Sequence, residues 1–226
     1  MLRSPVKFAW RETLELAVLL SPPPLNAAMA DDAPQRQRHS AVSTQPYFER
    51  QSLMRCAQHA INNLLQRPAV THADLNDIVE SISSSSFSLQ HRWPLLGNHD
   101  ANVLMLALAQ HGCTAQFWDA RRTTDDDIRE LVMTRCREPG VVGLIVNVKT
   151  RSAWSLYVLP QRHWYAILRV GDRRFPEYGA FPGGWLELDS RSEKPRGLPQ
   201  NTHLHFLMQT ALRDHAAEVL IVTRST

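Results

Sequence analysis

The chain has 226 residues, with 25 Lys+Arg against 22 Asp+Glu and a formal net charge of +3. A hydrophobic fraction of 43% with 21% charged residues excludes a wholly disordered chain, and the length suits one domain, or one domain with a tail. So small a charge, spread along the chain, gives no argument for nucleic-acid binding, which needs a clustered basic face.

Residues 1–43 differ from the rest. Arg3, Lys7 and Arg11 precede a short apolar patch, Leu16 to Leu20, then Pro22-Pro23-Pro24 and a polar, Gln/Arg-rich run. Glu12 and Glu15 interrupt the apolar stretch, which a signal peptide needs unbroken over about 7–15 residues. Together with Asp31 and Asp32 they also disfavour a transit peptide. The expectation is an extension of little order, with Met29 as a candidate second translation start. Residues 44–226 are then the folded domain, and no stretch approaches the roughly 18–20 apolar residues of a membrane helix. Cys56, Cys113 and Cys136 are odd in number and widely spaced. They make neither a disulfide framework nor a metal knuckle, and the reducing cytosol or nucleus is the expected compartment.

Within the domain, Cys56, Ala57, Ala60, Ile61, Leu64 and Leu65 form one helical stripe that Pro68 stops. Thr71 with Asp74 has the spacing of a capping box and opens a second helix with the face Leu75, Ile78, Val79 and Ile82. Ser83 to Ser88 is a serine-rich break. Asp100 caps a third, buried helix over Val103 to Ala109, ended by Gly112. Thr114 to Trp118 is a strand. Thr123 or Thr124 caps a further helix, with Asp125, Asp126 and Asp127 at its positive end and Ile128, Leu131, Val132 and Cys136 as its stripe. Beyond Gly140 the period changes. Val141–Val148, His163–Val170, Gly184–Asp189 and Glu218–Thr223 are strands, with a helix over Asn201–Leu212. Helices first and strands later, without βαβ alternation, predict an α+β domain on a largely antiparallel sheet.

A thiol is a nucleophile only as thiolate, and a helix N-terminus favours that charge. Of the three cysteines only Cys56 begins a predicted helix. A histidine must take and return the proton. His163 opens a strand, and the next strand ends at Asp189. Pairing 169 with 183 sets 163 opposite 189, close enough for the acid to orient the imidazole. Gln51, five residues before Cys56, is a candidate donor to an oxyanion, together with the Cys56 N–H. Cys56-x-x-His59 has no second pair at zinc-like spacing, so His59 is read as a satisfied helix histidine. His203 and His205, two apart, do not share a helix face. No metal or cofactor site is expected. The six tryptophans are read mostly as core.

The run Gln51-Ser-Leu-Met-Arg-Cys56-Ala-Gln-His59-Ala-Ile-Asn62-Asn63-Leu-Leu-Gln66 resembles the opening motif of the Josephin domain. Josephins are the papain-like deubiquitinases that include the Machado–Joseph disease ataxin. Gly97-Asn98-His99-Asp100-Ala-Asn102-Val103 resembles the family's next helix start. Phe117-Trp118-Asp119-x-Arg121-Arg122, Arg162-His163-Trp164-Tyr165-Ala166 and Leu188-Asp189-Ser190 resemble three later blocks, in order. The resemblance spans about residues 44–226 and is nearest to the short, stand-alone Josephins. No ubiquitin-interacting helix or polyglutamine tract is visible.

The resemblance implies a papain-like fold, with a helical N-terminal part whose catalytic helix packs on the sheet. It also implies Cys56 as nucleophile, His163 as general base and acid, Asp189 as orienting residue and Gln51 in the oxyanion hole. The implied activity is hydrolysis of the (iso)peptide bond at ubiquitin's C-terminus, with ubiquitin and ubiquitinated proteins as partners and a monomeric enzyme. The alternatives are a ubiquitin-binding module with little or no catalysis, and a cysteine acyltransferase or protease for another substrate. Residue 189 is asparagine in the ataxin and aspartate in the short Josephins. Glu187, where members often have asparagine, shares a face with Asp189 and is expected to perturb it. The loop from Gly171 to Gly183 looks longer than usual, and is either a gate or an insertion. Roughly Thr71 to Pro94 corresponds to the family's ubiquitin-binding arm. Lys occurs only at 7, 149 and 194, which leaves few sites for the enzyme's own ubiquitination, though base composition is the simpler cause.

Overall fold

The structure is a computed structural model and describes residues 45–51, 55–83, 92–93, 98–119, 121–150 and 161–225. The N-terminal extension, most of the serine-rich break and Gly97 lie outside the described residues.

Helix α1 (Cys56–Leu65) ends where Gln66 adopts a left-handed conformation, φ 58°. Helix α2 (His72–Ser83) begins with the expected capping box: Asp74 N–H donates to Thr71 Oγ1, and Thr71 N–H donates to Asp74 Oδ2. Strands β1 (Arg92–Trp93) and β2 (Asn98–His99) form a small antiparallel pair. Helix α3 (Ala101–Gln110) is capped by Asp100, which accepts from the N–H groups of Asn102 and Val103. Helix α4 (Asp125–Met133) follows strand β3 (Cys113–Trp118), and Thr124 closes a capping box with Asp127.

The rest is mostly sheet: β4 (Val141–Thr150), β5 (Gln161–Arg169), β6 (Trp185–Leu188), β7 (Arg196–Leu198) and β8 (Glu218–Arg224), with α5 (Asn201–Asp214) before β8. Six strands pair antiparallel in the order β3-β8-β4-β5-β6-β7. Successive residues face opposite sides, so the sheet carries two cores. Ile145, Trp164, Ala166, Leu168 and Leu188 pack under α1, α2 and α3. Leu144, Val146, Tyr165, Ile167 and Ile221 pack under α4 and α5. The α+β class, the antiparallel sheet and the helical part over it agree with expectation. Trp118, Trp164 and Trp185 are core residues, as is Cys136.

Cys136 is not on α4, however. The helix stops at Met133, and Cys136 sits in a short 3-10 turn, Arg135–Arg137. Strand β7, the β1–β2 pair and the turn Pro176–Tyr178 were not expected. Elements of two or three residues have no period to read and exist only through their partners.

The long β5–β6 connection is a packed element. Val170 and Gly184 close its base, Phe175 and Ala180 are buried and bridge each other, and Tyr178 OH donates to Gln45. It leaves the end of β5, six residues along the strand from His163. Its main chain lies against β7 at Gly197, where a Cβ would fall 1.9 Å from the Tyr178 carbonyl oxygen. We predict that Gly197→Ala costs about 1–3 kcal/mol through overpacking, read as a lowered Tm with intact far-UV circular dichroism. An unchanged Tm contradicts this packing.

Candidate active site

Cys56 is the first residue of α1 and 4% exposed. Arg55 provides no side-chain cap, which leaves the first N–H groups of the helix to other acceptors. The Cys56 sulfur lies near the backbone N–H groups of Trp164 in β5, of Ala57 and of its own residue, which favour its charged form. The sequence argument expects the helix end to lower the thiol pKa. Burial outweighs it and pushes the thiol above its ordinary value, against the three N–H groups and the Arg191 guanidinium.

His163 is 2% exposed, and its Nε2 lies 2.6 Å from Asp189 Oδ1. Nδ1 is buried without a hydrogen-bond partner. The two residues meet otherwise than expected. Arg169 pairs with Trp185 and Ala166 with Leu188, so the register runs two residues away from the one that sets 163 opposite 189. The reason is Gly183, whose φ of 80° makes it a loop corner rather than a strand residue. A shift of two preserves the face, and Asp189, just past the end of β6, reaches His163 diagonally.

Burial alone would raise the Asp189 carboxyl, but the His163 hydrogen bond and charge, the Arg191 N–H and the Arg191 charge hold it below the ordinary range. A depressed carboxylate contributes stability that is present above the unfolded value, near 3.8, and is lost as pH falls through the folded one. We therefore predict that Asp189→Asn is less stable than the wild type at neutral pH, and that the gap closes on acidification below 3.8. Denaturant titrations across that range measure it. Glu187 is raised by burial, and further by Asp189, despite its ion pair with Arg196. The groups that set Asp189 are His163 and Arg191.

Gln51 joins the same site through its main chain: its N–H donates to the Ser190 carbonyl at 2.7 Å, and Ser190 Oγ donates to its side-chain oxygen at 3.4 Å. Arg50, Gln51, Ser190 and Arg191 line an open cleft of about 500 Å³. The four expected residues are thus brought together by three links: Gln51 to the residue after Asp189, Asp189 to His163, and the residue after His163 to Cys56.

His59 is satisfied, with Nδ1 2.7 Å from Glu49 Oε2. Among the described residues no group of histidine, cysteine, aspartate or glutamate could hold a metal ion, and no helix is long and apolar enough to cross a membrane. The Phe117–Arg122 block is architectural: the Arg122 guanidinium lies 4.4 Å from the Trp118 ring and pairs with Asp127 and Glu130 of α4. Glu49 was missed. Its signal was present in α1, where His59, Asn62, Asn63 and Gln66 recur at i, i+3, i+4 and i+7, a polar stripe beside the apolar one.

Residues 51–223 match the Josephin family. Josephin-2 of Homo sapiens is 32% identical over 179 residues, covering 78% of this chain and 85% of its own. A Josephin-like protein of Drosophila melanogaster is 32% identical over 176 residues, 75% of this chain and 70% of its own. The Ataxin-3 homolog of Caenorhabditis briggsae is 23% identical over 175 residues, 77% of this chain and 48% of its own. With the family matched over most of the chain and its papain-like fold in place, the protein belongs to the Josephin family.

Proposed function

We propose that this protein is a thiol-dependent hydrolase of the (iso)peptide bond at the C-terminus of ubiquitin. Membership of the Josephin family supports a deubiquitinase-type function. The observation that carries the finer reading is the His163 ring: Asp189 holds Nε2, and Nδ1 has no partner, one residue from the N–H that meets the Cys56 sulfur. Because burial opposes the thiolate, attack needs a base in place. His163 Nδ1 takes the thiol proton as Sγ bonds to the carbonyl carbon of ubiquitin's terminal glycine. The oxyanion is met by the Cys56 N–H and the Gln51 amide. His163 then returns the proton to the leaving lysine amine as the C–N bond breaks. Water attacks the thioester, gives its proton to His163, and the ubiquitin carboxylate leaves as the thiol is restored. Asp189 fixes the ring and stabilises its charged form. Three unpaired cysteines suit a monomer of the reducing cytosol or nucleus.

The test is cleavage of a ubiquitin C-terminal amide and of linkage-defined chains by the purified protein, with release of free ubiquitin expected. One observation favours a second reading, a binding module of little activity: both Cys56 and His163 are nearly inaccessible. That reading requires ubiquitin binding without turnover of any chain, even at stoichiometric enzyme.

A further inference from the structure

Residues 45–51 run beside α1 without being a strand, yet their main chain is paired as if they were. Tyr47 N–H donates to Gln66 Oε1 and Gln66 Nε2 donates back to the Tyr47 carbonyl, each at 3.1 Å. Two residues on, Glu49 N–H donates to Asn63 Oδ1 at 2.6 Å, and Asn63 Nδ2 donates to the Glu49 carbonyl at 3.2 Å. Two more residues on, Gln51 N–H meets the Ser190 carbonyl. Side-chain amides at 63 and 66, one helical turn apart, thus act as a partner strand for alternate residues.

The Glu49 side chain adds a second anchor. His59 Nδ1 lies 2.7 Å away, Asn62 Nδ2 donates to both carboxyl oxygens at 3.1 and 3.2 Å, and Tyr47 OH donates to it as well. Asn62 and Asn63 are 1% and 0% exposed, so these bonds operate where an unmade partner is costly. Asn62 is itself fixed, with Oδ1 receiving the N–H groups of Ala69 and Val70. His59 is one turn beyond Cys56 on the same helix, and Gln51 is two residues beyond Glu49. The helix that presents the sulfur therefore also grips the segment that carries the oxyanion donor.

We propose that Glu49, clasped by His59, Asn62 and Asn63, is a positioning residue that sets Gln51 against Cys56. This rests on the reading of Gln51 as an oxyanion donor. An oxyanion group acts only within a few tenths of an ångström of its place, and a shift of about 1 Å costs on the order of a hundredfold in rate. A grip through one helix keeps the Gln51-to-Cys56 distance constant when neighbouring segments move.

The experiment is a double-mutant cycle on hydrolysis of a ubiquitin C-terminal amide, with Tm and circular dichroism for every variant. Gln51→Ala is expected to lower kcat about a hundredfold, and Glu49→Ala about tenfold or more, with KM within about twofold. Glu49→Gln, which keeps an acceptor for Asn62, should recover most of the loss. Glu49→Ala should add almost nothing on top of Gln51→Ala, because nothing remains to be positioned. Multiplying losses in the double variant, or full kcat in folded Glu49→Ala, overturns the proposal while leaving the role of Gln51 intact. Full kcat in Gln51→Ala overturns that role, and the proposal with it. If Glu49→Ala does not fold, Gln66→Ala takes its place: it frees the Tyr47 main chain and one bond to the Asn63 carbonyl, should cost a few-fold in kcat, and must lose that effect in the Gln51→Ala background.

Discussion

Cys56→Ala should abolish covalent labelling by a ubiquitin C-terminal electrophile and reduce hydrolysis by a factor on the order of 10⁴ or more, because no other group can form the thioester. Cys113 and Cys136 do not substitute: both are buried and their thiols are raised by burial, Cys136 to about 12. The fold should survive, since the sulfur occupies a buried site between α1 and β5 and its loss removes one small group. A cost of about 1 kcal/mol is expected, at the low end of core truncations. Ubiquitin binding should persist, which separates chemistry from recognition. Labelling that continued in Cys56→Ala would falsify the assignment of the nucleophile.

His163→Ala should lower turnover by a factor on the order of 10³ or more, and the loss should not add to that of Cys56→Ala, since the two act as one unit. Burial of the thiol makes the pH dependence diagnostic. Burial raises the Cys56 thiol above its ordinary value, so without a base attack depends on the small fraction of thiolate that the solution pH supplies. Residual labelling in His163→Ala should therefore rise tenfold per pH unit through the neutral and mildly alkaline range. With His163 present the proton leaves during attack, and the wild-type rate should depend on pH less steeply than that of the variant. Parallel pH profiles for the two proteins would remove His163 from the proton path and revive the reading of a module that binds ubiquitin without useful catalysis.

Much of this site was legible before any coordinate. The stripe of α1 begins at Cys56, Asp100 and Thr124 are caps, and the β5 alternation separates His163 and Tyr165 from Trp164 and Ala166. Such features are local: they depend on period and on side chains reaching their own backbone within four residues. The face shared by His163 and Asp189 was legible too, since parity survives a two-residue error. The offset itself was not, because it depends on where a long loop closes, and that is set by Gly183 and by Phe175 and Ala180 finding the core.

The sequence by itself determined the class of fold, the helix that carries the thiol and the identity of four candidate residues, all consequences of local period and residue chemistry. Only the tertiary structure decided in which direction that thiol shifts, because burial is a property of what α1 packs against and it outweighs the helix end. Tertiary structure likewise decided that Nδ1 is the open nitrogen of His163, and that Glu49, fourteen residues from Asn63, is clasped by α1. A hydrogen bond between distant residues leaves no periodic trace in either segment. It becomes visible only when the chain has brought both to the same place.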